Sequence, residues 1–478
     1  MSQTAQFSCD LSQRGEAFAH FWELCVGSDH APMALRADWQ AQLRRAHREL
    51  GFRYVRFHGL LSDRMFTLTC QQERLVYSFF NIDRIFDFLL SIGMRPFIEL
   101  SFMPRTLASG SASVFSYEAN ITPPRDLAAW GELIRRLVTH WVERYGAAEV
   151  RTWYFEVWNE PNLESFWTGT QAQYFELYRG TAQTVKALDA QLRIGGPATA
   201  NNGWIGEFIG YCRDHQVPLD FVSTHHYPTD AFGAPGDDTV TQLAASRRRV
   251  LREDARRVRQ LAQGYPVYYT EWNSSSNPRD PLHDEPYAAC FAVKTVLEAH
   301  GLVEGYSFWT FSDIFEENYL PSQPFHGGFG LLNLQGIAKP TYRAFQLLHG
   351  LGDELLQVEG EHPTADAWVV RGRGELTVVL TNFALPRHPL EEVHVTVALE
   401  GAGAVSASCV RIDEAHANAK AEWIRMGSPE YPSVAQLRAL EQESRLRWRA
   451  EAGLLRGGTL RCSVPPLGVV AVRLRPVG

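Results

Sequence analysis

The chain has 478 residues, 45% hydrophobic and 21% charged, a balance that excludes fibrous and disordered classes. Its length exceeds one small domain and suffices for a barrel plus an accessory module. With 46 basic and 54 acidic residues the formal charge is -8, which disfavours nucleic acid or an anionic membrane as a partner and favours a neutral ligand.

A strand at 7–11 comes first. Strand-like apolar runs then recur at 22–26, 52–57, 95–100, 152–157, 192–196, 220–224, 266–270 and 306–311, with helical patterns between them. The clearest helix is 126–145, where Trp130, Leu133, Ile134, Leu137 and Trp141 share a face, Asp126 can cap the first turn and Gly146 can end the last. Segments 38–50, 174–188 and 246–261 read alike. Alternation alone also permits a doubly wound sheet, but eight near-continuous apolar strands argue for a (β/α)8 TIM barrel within the α/β class, over residues 16–350. After Gly350 the pattern changes to strands at 367–371, 376–381, 394–399, 406–412 and 459–475. A charged, leucine-spaced helix at 432–450 interrupts them. Residues 351–478 are expected to form an accessory all-β, sandwich-like domain, joined by the N-terminal strand of 1–15.

The first eighteen residues lack a basic stretch followed by an apolar core, so a cytoplasmic location is expected. No run of about 20 uncharged apolar residues suggests a membrane span. Cysteines at 9, 25, 70, 212, 290, 409 and 462 form no CxxC pair and are expected to be reduced. His225 and His226 are adjacent and no HExxH occurs, so no metal or other cofactor is expected.

Two phrases carry chemistry: Trp158-Asn159-Glu160-Pro161-Asn162 and Tyr269-Thr270-Glu271-Trp272-Asn273. Each places a glutamate at the end of a strand-like run, where a barrel binds its substrate. Singly, each also reads as an ion-paired loop glutamate. As a pair they suggest glycoside hydrolysis, which needs two carboxyl groups flanking the scissile bond. Pro161 and Asn159 are expected to hold Glu160 in an extended backbone. Glu156 is excluded as its partner, because four residues of strand span about 13 Å whereas a retaining pair lies about 5–5.5 Å apart. It is expected to be buried and paired with Arg56.

Further phrases accompany these: Arg56-Phe57-His58-Gly59, Phe102-Met103-Pro104 with Leu107-Ala108-Ser109-Gly110, Ser223-Thr224-His225-His226-Tyr227, Phe308-Trp309-Thr310-Phe311-Ser312-Asp313 and Trp423-Ile424-Arg425-Met426-Gly427-Ser428-Pro429. Over most of its length the chain resembles glycoside hydrolase family 39, in its bacterial β-xylosidase type. The resemblance implies a retaining double displacement with Glu160 as acid/base and Glu271 as nucleophile. It further implies Asn159 on the sugar 2-hydroxyl, His58 and His225 at the glycone, Trp309 as an aromatic floor, and Glu316 and Glu317 accepting from the 3- and 4-hydroxyls. Tyr227 is expected to donate to Glu271, and Arg56 to lower its pKa. Phe115, Trp167, His326 and Phe329 are expected at the mouth.

The expected function is exo-cleavage of terminal β-D-xylose from small xylo-oligosaccharides, with no nucleic acid or membrane partner. An α-L-iduronidase of the same family is the alternative, for which Arg105 is the candidate cation. A non-catalytic carbohydrate-binding protein is the third reading.

Overall fold

Alternate residues of a strand face opposite sides, so a closed barrel takes every second side chain of its strands inward. In the computed structural model, which describes residues 3–230, 238–372, 374–403, 405–451 and 453–476, eight parallel strands do this. They are β1 (Cys25–His30), β2 (Tyr54–His58), β3 (Arg95–Leu100), β4 (Tyr154–Val157), β5 (Arg193–Thr199), β6 (Phe221–His226), β7 (Val267–Trp272) and β8 (Gly305–Phe308). Neighbours in the chain pair in order, and β8 returns to β1 where Phe308 meets Val26.

The inward positions are layered. Cys25, Tyr54, Phe97, Tyr154, Phe221 and Tyr268, with Leu24, pack as a separate buried plug near the N-terminal ends. Two residues further along their strands come Arg56, Glu99, Glu156 and Thr270, all buried. The outward residues Val55, Phe57, Ile98, Phe155 and Val157 join the main core. Helix Leu127–Tyr145 buries Trp130, Leu133, Ile134, Leu137 and Trp141, each worth about 1.5–3 kcal/mol on burial. The Asp126 carboxylate accepts from Ala128 N at its start, and Gly146, at φ +84°, ends it.

A second, all-β part carries two sheets. The larger runs in the order Glu16–Ala17, Glu354–Leu356, Ala365–Gly372, Glu375–Asn382, Val469–Pro476, Val405–Ile412, Arg449–Ala450. The smaller runs Gln3–Asp10, Val393–Glu400, Thr459–Val464, Leu455–Arg456. Residues of both share one apolar core. The architecture is a (β/α)8 barrel with an accessory β-sandwich. No described helix is long and apolar enough to cross a membrane.

Three local expectations are corrected. The run at 22–26 is not one strand: Phe21–Glu23 is a 3-10 turn closed by Glu23 N on His20 O, and β1 begins only at Cys25. A short apolar run does not by itself separate strand from turn. Segment 459–475 is two strands, split at Pro465-Pro466, where Gly468 N bonds Pro465 O and proline offers no ladder donor. Segment 432–450 is helical only over Val434–Glu443; another helix, Ala419–Arg425, precedes it and Arg449–Ala450 is strand.

Candidate active site

Arg56 is the hub of the site. It is fully buried, and its Nε meets Glu156 Oε2 at 2.6 Å, while Nη1 meets Glu271 Oε1 at 2.7 Å. Nη2 reaches Asn159 Oδ1 at 2.9 Å and Glu99 Oε2 at 2.8 Å. A buried guanidinium among three carboxylates keeps its charge, and its pKa rises further because those negative charges outweigh the cost of burial.

Glu160 lies beyond the end of β4, with its N–H donating to Ala198 O at 2.8 Å. Its φ is +44°, so the expected extended backbone is corrected to the left-handed side. Proline disfavours only the right-handed helical region for its predecessor, and the bond to Ala198 selects the other. Burial and the negative charge of Glu271 push its carboxyl well above the usual range.

Glu271 follows Thr270, which turns inward to Glu156 Oε1 at 2.8 Å. Register shifts on both sides of β7, beside β6 and β8, let the next residue also reach the cavity, as bulges re-aim side chains. Burial raises the Glu271 carboxyl too, but Arg56, His58 and the Tyr227 hydroxyl, 2.8 Å from Oε2, draw it back. The two carboxyls are therefore ordered: Glu160 keeps its proton to higher pH than Glu271. Their nearest oxygens lie within 4.8 Å of one another.

Both glutamates line a cavity of about 520 Å³ with His58, Asn159, Tyr227, Trp309 and Glu317, a size suited to a small ligand. His58 Nδ1 is held by Glu99 Oε2 at 2.7 Å. Trp309 lies with its ring centroid 4.8 Å from that of His58. The ring fits because residue 27 is glycine: a Cβ there would stand 2.4 Å from it. Glu317 is buried, its Oε1 has no hydrogen-bond partner, and burial with the charges of Asp29 and Glu271 pushes its pKa well up. Phe115 and Phe329 line the cavity as well.

Four expected residues lie elsewhere. His225 does not line the cavity; it is buried behind Glu160, with Nδ1 2.9 Å from Glu160 Oε1 and Nε2 3.1 Å from Thr270 Oγ1. Glu316 is turned away, its Oε1 on His30 Nε2 at 2.5 Å and on Arg64. Trp167 donates to Thr170 O at 3.1 Å, and His326 meets Gln323 O at 3.2 Å; neither lines the cavity.

Glu99 and Thr270 escaped the sequence reading, although Glu99 holds both Arg56 and His58. The signal for Glu99 was a charge inside Phe97-Ile98-Glu99-Leu100, at the same inward level as Arg56 and Glu156. Among the described residues, two groups cluster metal-type donors: Glu160, His225 and Glu271, and His20, Glu23 and His349. Both are hydrogen-bonded internally.

The model of glycosyl hydrolases family 39 matches residues 6–456. A β-xylosidase of Caldicellulosiruptor saccharolyticus is 48% identical over 464 residues, covering 95% of this chain and 95% of its own. A solved family 39 β-xylosidase from Caulobacter crescentus superposes with a TM-score of 0.83 at 35% identity, over 98% of this chain and 100% of its own. The human α-L-iduronidase is 25% identical, over 92% of this chain and 73% of its own. The chain belongs to family 39 of the glycosyl hydrolases.

Proposed function

We propose that this glycoside hydrolase is an exo-acting β-D-xylosidase, releasing terminal xylose from short xylo-oligosaccharides with retention of configuration. The observation that carries the retaining mechanism is the approach of Glu160 and Glu271, with oxygens within 4.8 Å. An inverting pair stands about 6.5–9.5 Å apart to admit a water, a retaining pair about 5–5.5 Å.

In the first step a Glu271 oxygen attacks the anomeric carbon while Glu160 gives its proton to the departing glycosidic oxygen. The product is a covalent glycosyl-enzyme. In the second, the Glu160 carboxylate takes a proton from water as that water attacks the anomeric carbon, and Glu271 leaves regenerated. Asn159, its Oδ1 engaged by Arg56, has its NH₂ left to donate to the sugar 2-hydroxyl. Trp309 supports the apolar sugar face, and Glu317, which lines the cavity, accepts from a ring hydroxyl.

The neutral glycone is favoured over a uronic acid by charge. No Lys or Arg lines the cavity among the described residues, whereas a sugar carboxylate needs a cation. Arg105 is exposed and committed to Asp63 and Glu118.

The test is 4-nitrophenol release from the β-D-xyloside and the α-L-iduronide, beside Glu271→Ala. Xyloside turnover that vanishes in the variant is expected; cleavage of the iduronide alone would overturn the glycone assignment.

A further inference from the structure

The cavity has two sides with different tasks. Trp309 and Glu317 serve the terminal sugar, whereas the departing group lies beside Glu160, whose proton its oxygen receives. Thr229 and Asp230, which follow β6, line the cavity together with Glu160. The Asp230 charge is among those that raise the Glu160 carboxyl. Thr229 Oγ1 accepts from Ser276 N at 2.9 Å and lies 2.9 Å from Ser276 Oγ. One side chain grips both backbone groups of Asp230: Gln242 Oε1 accepts from its N–H at 2.6 Å, and Gln242 Nε2 donates to its carbonyl at 3.1 Å.

Gln242 stands on the helix Thr239–Ala245, which has Leu243 as its only buried residue. So short a helix has little stability of its own and takes its place from what holds it. One tie leads to the barrel, from Asn277 Nδ2 to Thr239 Oγ1 at 2.7 Å. The others lead to the sandwich. His388 Nε2 donates to Ala244 O at 2.9 Å. Three residues past the helix, Arg248 donates from Nε to Phe383 O at 2.9 Å and from Nη2 to Thr364 O at 2.6 Å. Its Nη1 reaches Asp366 Oδ1 at 3.2 Å and its Nη2 also bonds Asp366 Oδ2. Asp366 is only 8% exposed, so this two-pronged pair fixes geometry as well as charge. Phe383 and His388 follow the sandwich strand Glu375–Asn382, and Thr364 and Asp366 lie at the start of Ala365–Gly372.

We propose, resting on the xylosidase reading above, that Thr229 and Asp230 form the wall that binds a leaving-group sugar. The accessory sandwich holds that wall in place, through Arg248 and His388 on the helix that carries Gln242. Arg248, His388 and Gln242 are positioning residues, since none of them lines the cavity. The Asp230 carboxylate accepts from hydroxyls of the leaving sugar, which a 4-nitrophenyl group lacks. Xylobiose and 4-nitrophenyl β-D-xyloside share their terminal sugar and yield the same xylosyl-enzyme. The ratio of their kcat/KM values therefore isolates the leaving-group contact.

The test measures that ratio, xylobiose over aryl xyloside, for the full-length wild type and for Asp230→Ala, Gln242→Leu and Arg248→Met. It should fall about tenfold in each variant, the loss of roughly one hydrogen bond to a charged group. Arg248→Lys, which keeps a cation facing Asp366, should recover part of the ratio. Gln242 is half-buried and touches no ion pair, so its variant reports even where Arg248→Met fails to fold. A general loss of stability would lower both rates together and leave the ratio unmoved, and that outcome would overturn the proposal. A fall confined to Asp230→Ala would overturn the role of the sandwich. Wild type that cleaves neither substrate would instead remove the xylosidase reading on which the wall depends.

Discussion

Nδ1 of His225 lies 2.9 Å from Oε1 of Glu160, and the proton between them belongs to the carboxyl. Thr270 has one hydroxyl proton, which it donates to Glu156 Oε1 at 2.8 Å. Its oxygen therefore accepts from His225 Nε2, 3.1 Å away. Burial, and then the Arg56 charge, holds His225 well below the ordinary imidazole pKa, so the ring is neutral and carries its single proton on Nε2. Nδ1 is then an acceptor, and only a protonated Glu160 can meet it. A relay that begins at Glu156 on β4 runs through Thr270 on β7 and His225 on β6 and returns to the acid beyond the end of β4.

His225→Phe tests this relay. The acceptor stabilises the neutral form of Glu160, so its loss lowers that pKa. The alkaline limb of kcat/KM should move to lower pH while the acid limb, set by Glu271, stays in place. A move of the alkaline limb to higher pH would place the proton on the imidazole instead.

Glu160→Gln should separate the two halves of the reaction by leaving group. A dinitrophenolate departs without protonation, so glycosyl-enzyme formation should survive with such a substrate. Xylobiose, which needs the acid, should lose about 10²–10⁴-fold. Azide should restore turnover on the aryl substrate and yield a β-xylosyl azide, identified by NMR; an α-azide would contradict retention.

Tyr227→Phe bears on the nucleophile. The hydroxyl donates to Glu271 Oε2 and so favours the carboxylate. Without it the Glu271 pKa rises, and the acid limb of the kcat/KM profile should shift to higher pH with the alkaline limb unchanged. A shift in the opposite sense would mean that this bond acts on the protonated form.

Which residues were readable from the chain follows from how local their signals are. Glu160 and Glu271 each close an apolar run beside Asn or Trp, so position alone marks them. Glu99 and Thr270 sit within such runs, and whether one polar residue in a strand faces a barrel interior depends on register with strands far away. For His225 and Glu316, partners distant in the chain decide the role. Glu316 is drawn off by His30 and Arg64, contacts that no local pattern announces. The barrel was legible because its strands repeat; the split at Pro465-Pro466 carried its own signal in two missing donors.

Arg56→Met is the most severe change expected outside the two glutamates. The guanidinium compensates Glu99, Glu156 and Glu271, all buried, and removing one partner of a buried ion cluster costs about 3–5 kcal/mol. Thermal or urea unfolding should register a loss of that order. The pH dependence has a definite sign. Without a cation, burial raises the folded-state pKa of Glu99 and Glu271 above their unfolded values, so the variant's penalty is largest at neutral pH. It should shrink as pH falls through those raised values and the groups take up protons. Activity should fall with stability, because Glu271 then protonates at a pH where the enzyme otherwise works. Equal stability losses at acidic and neutral pH would show that the cluster is held by packing, with the Arg56 charge playing no part.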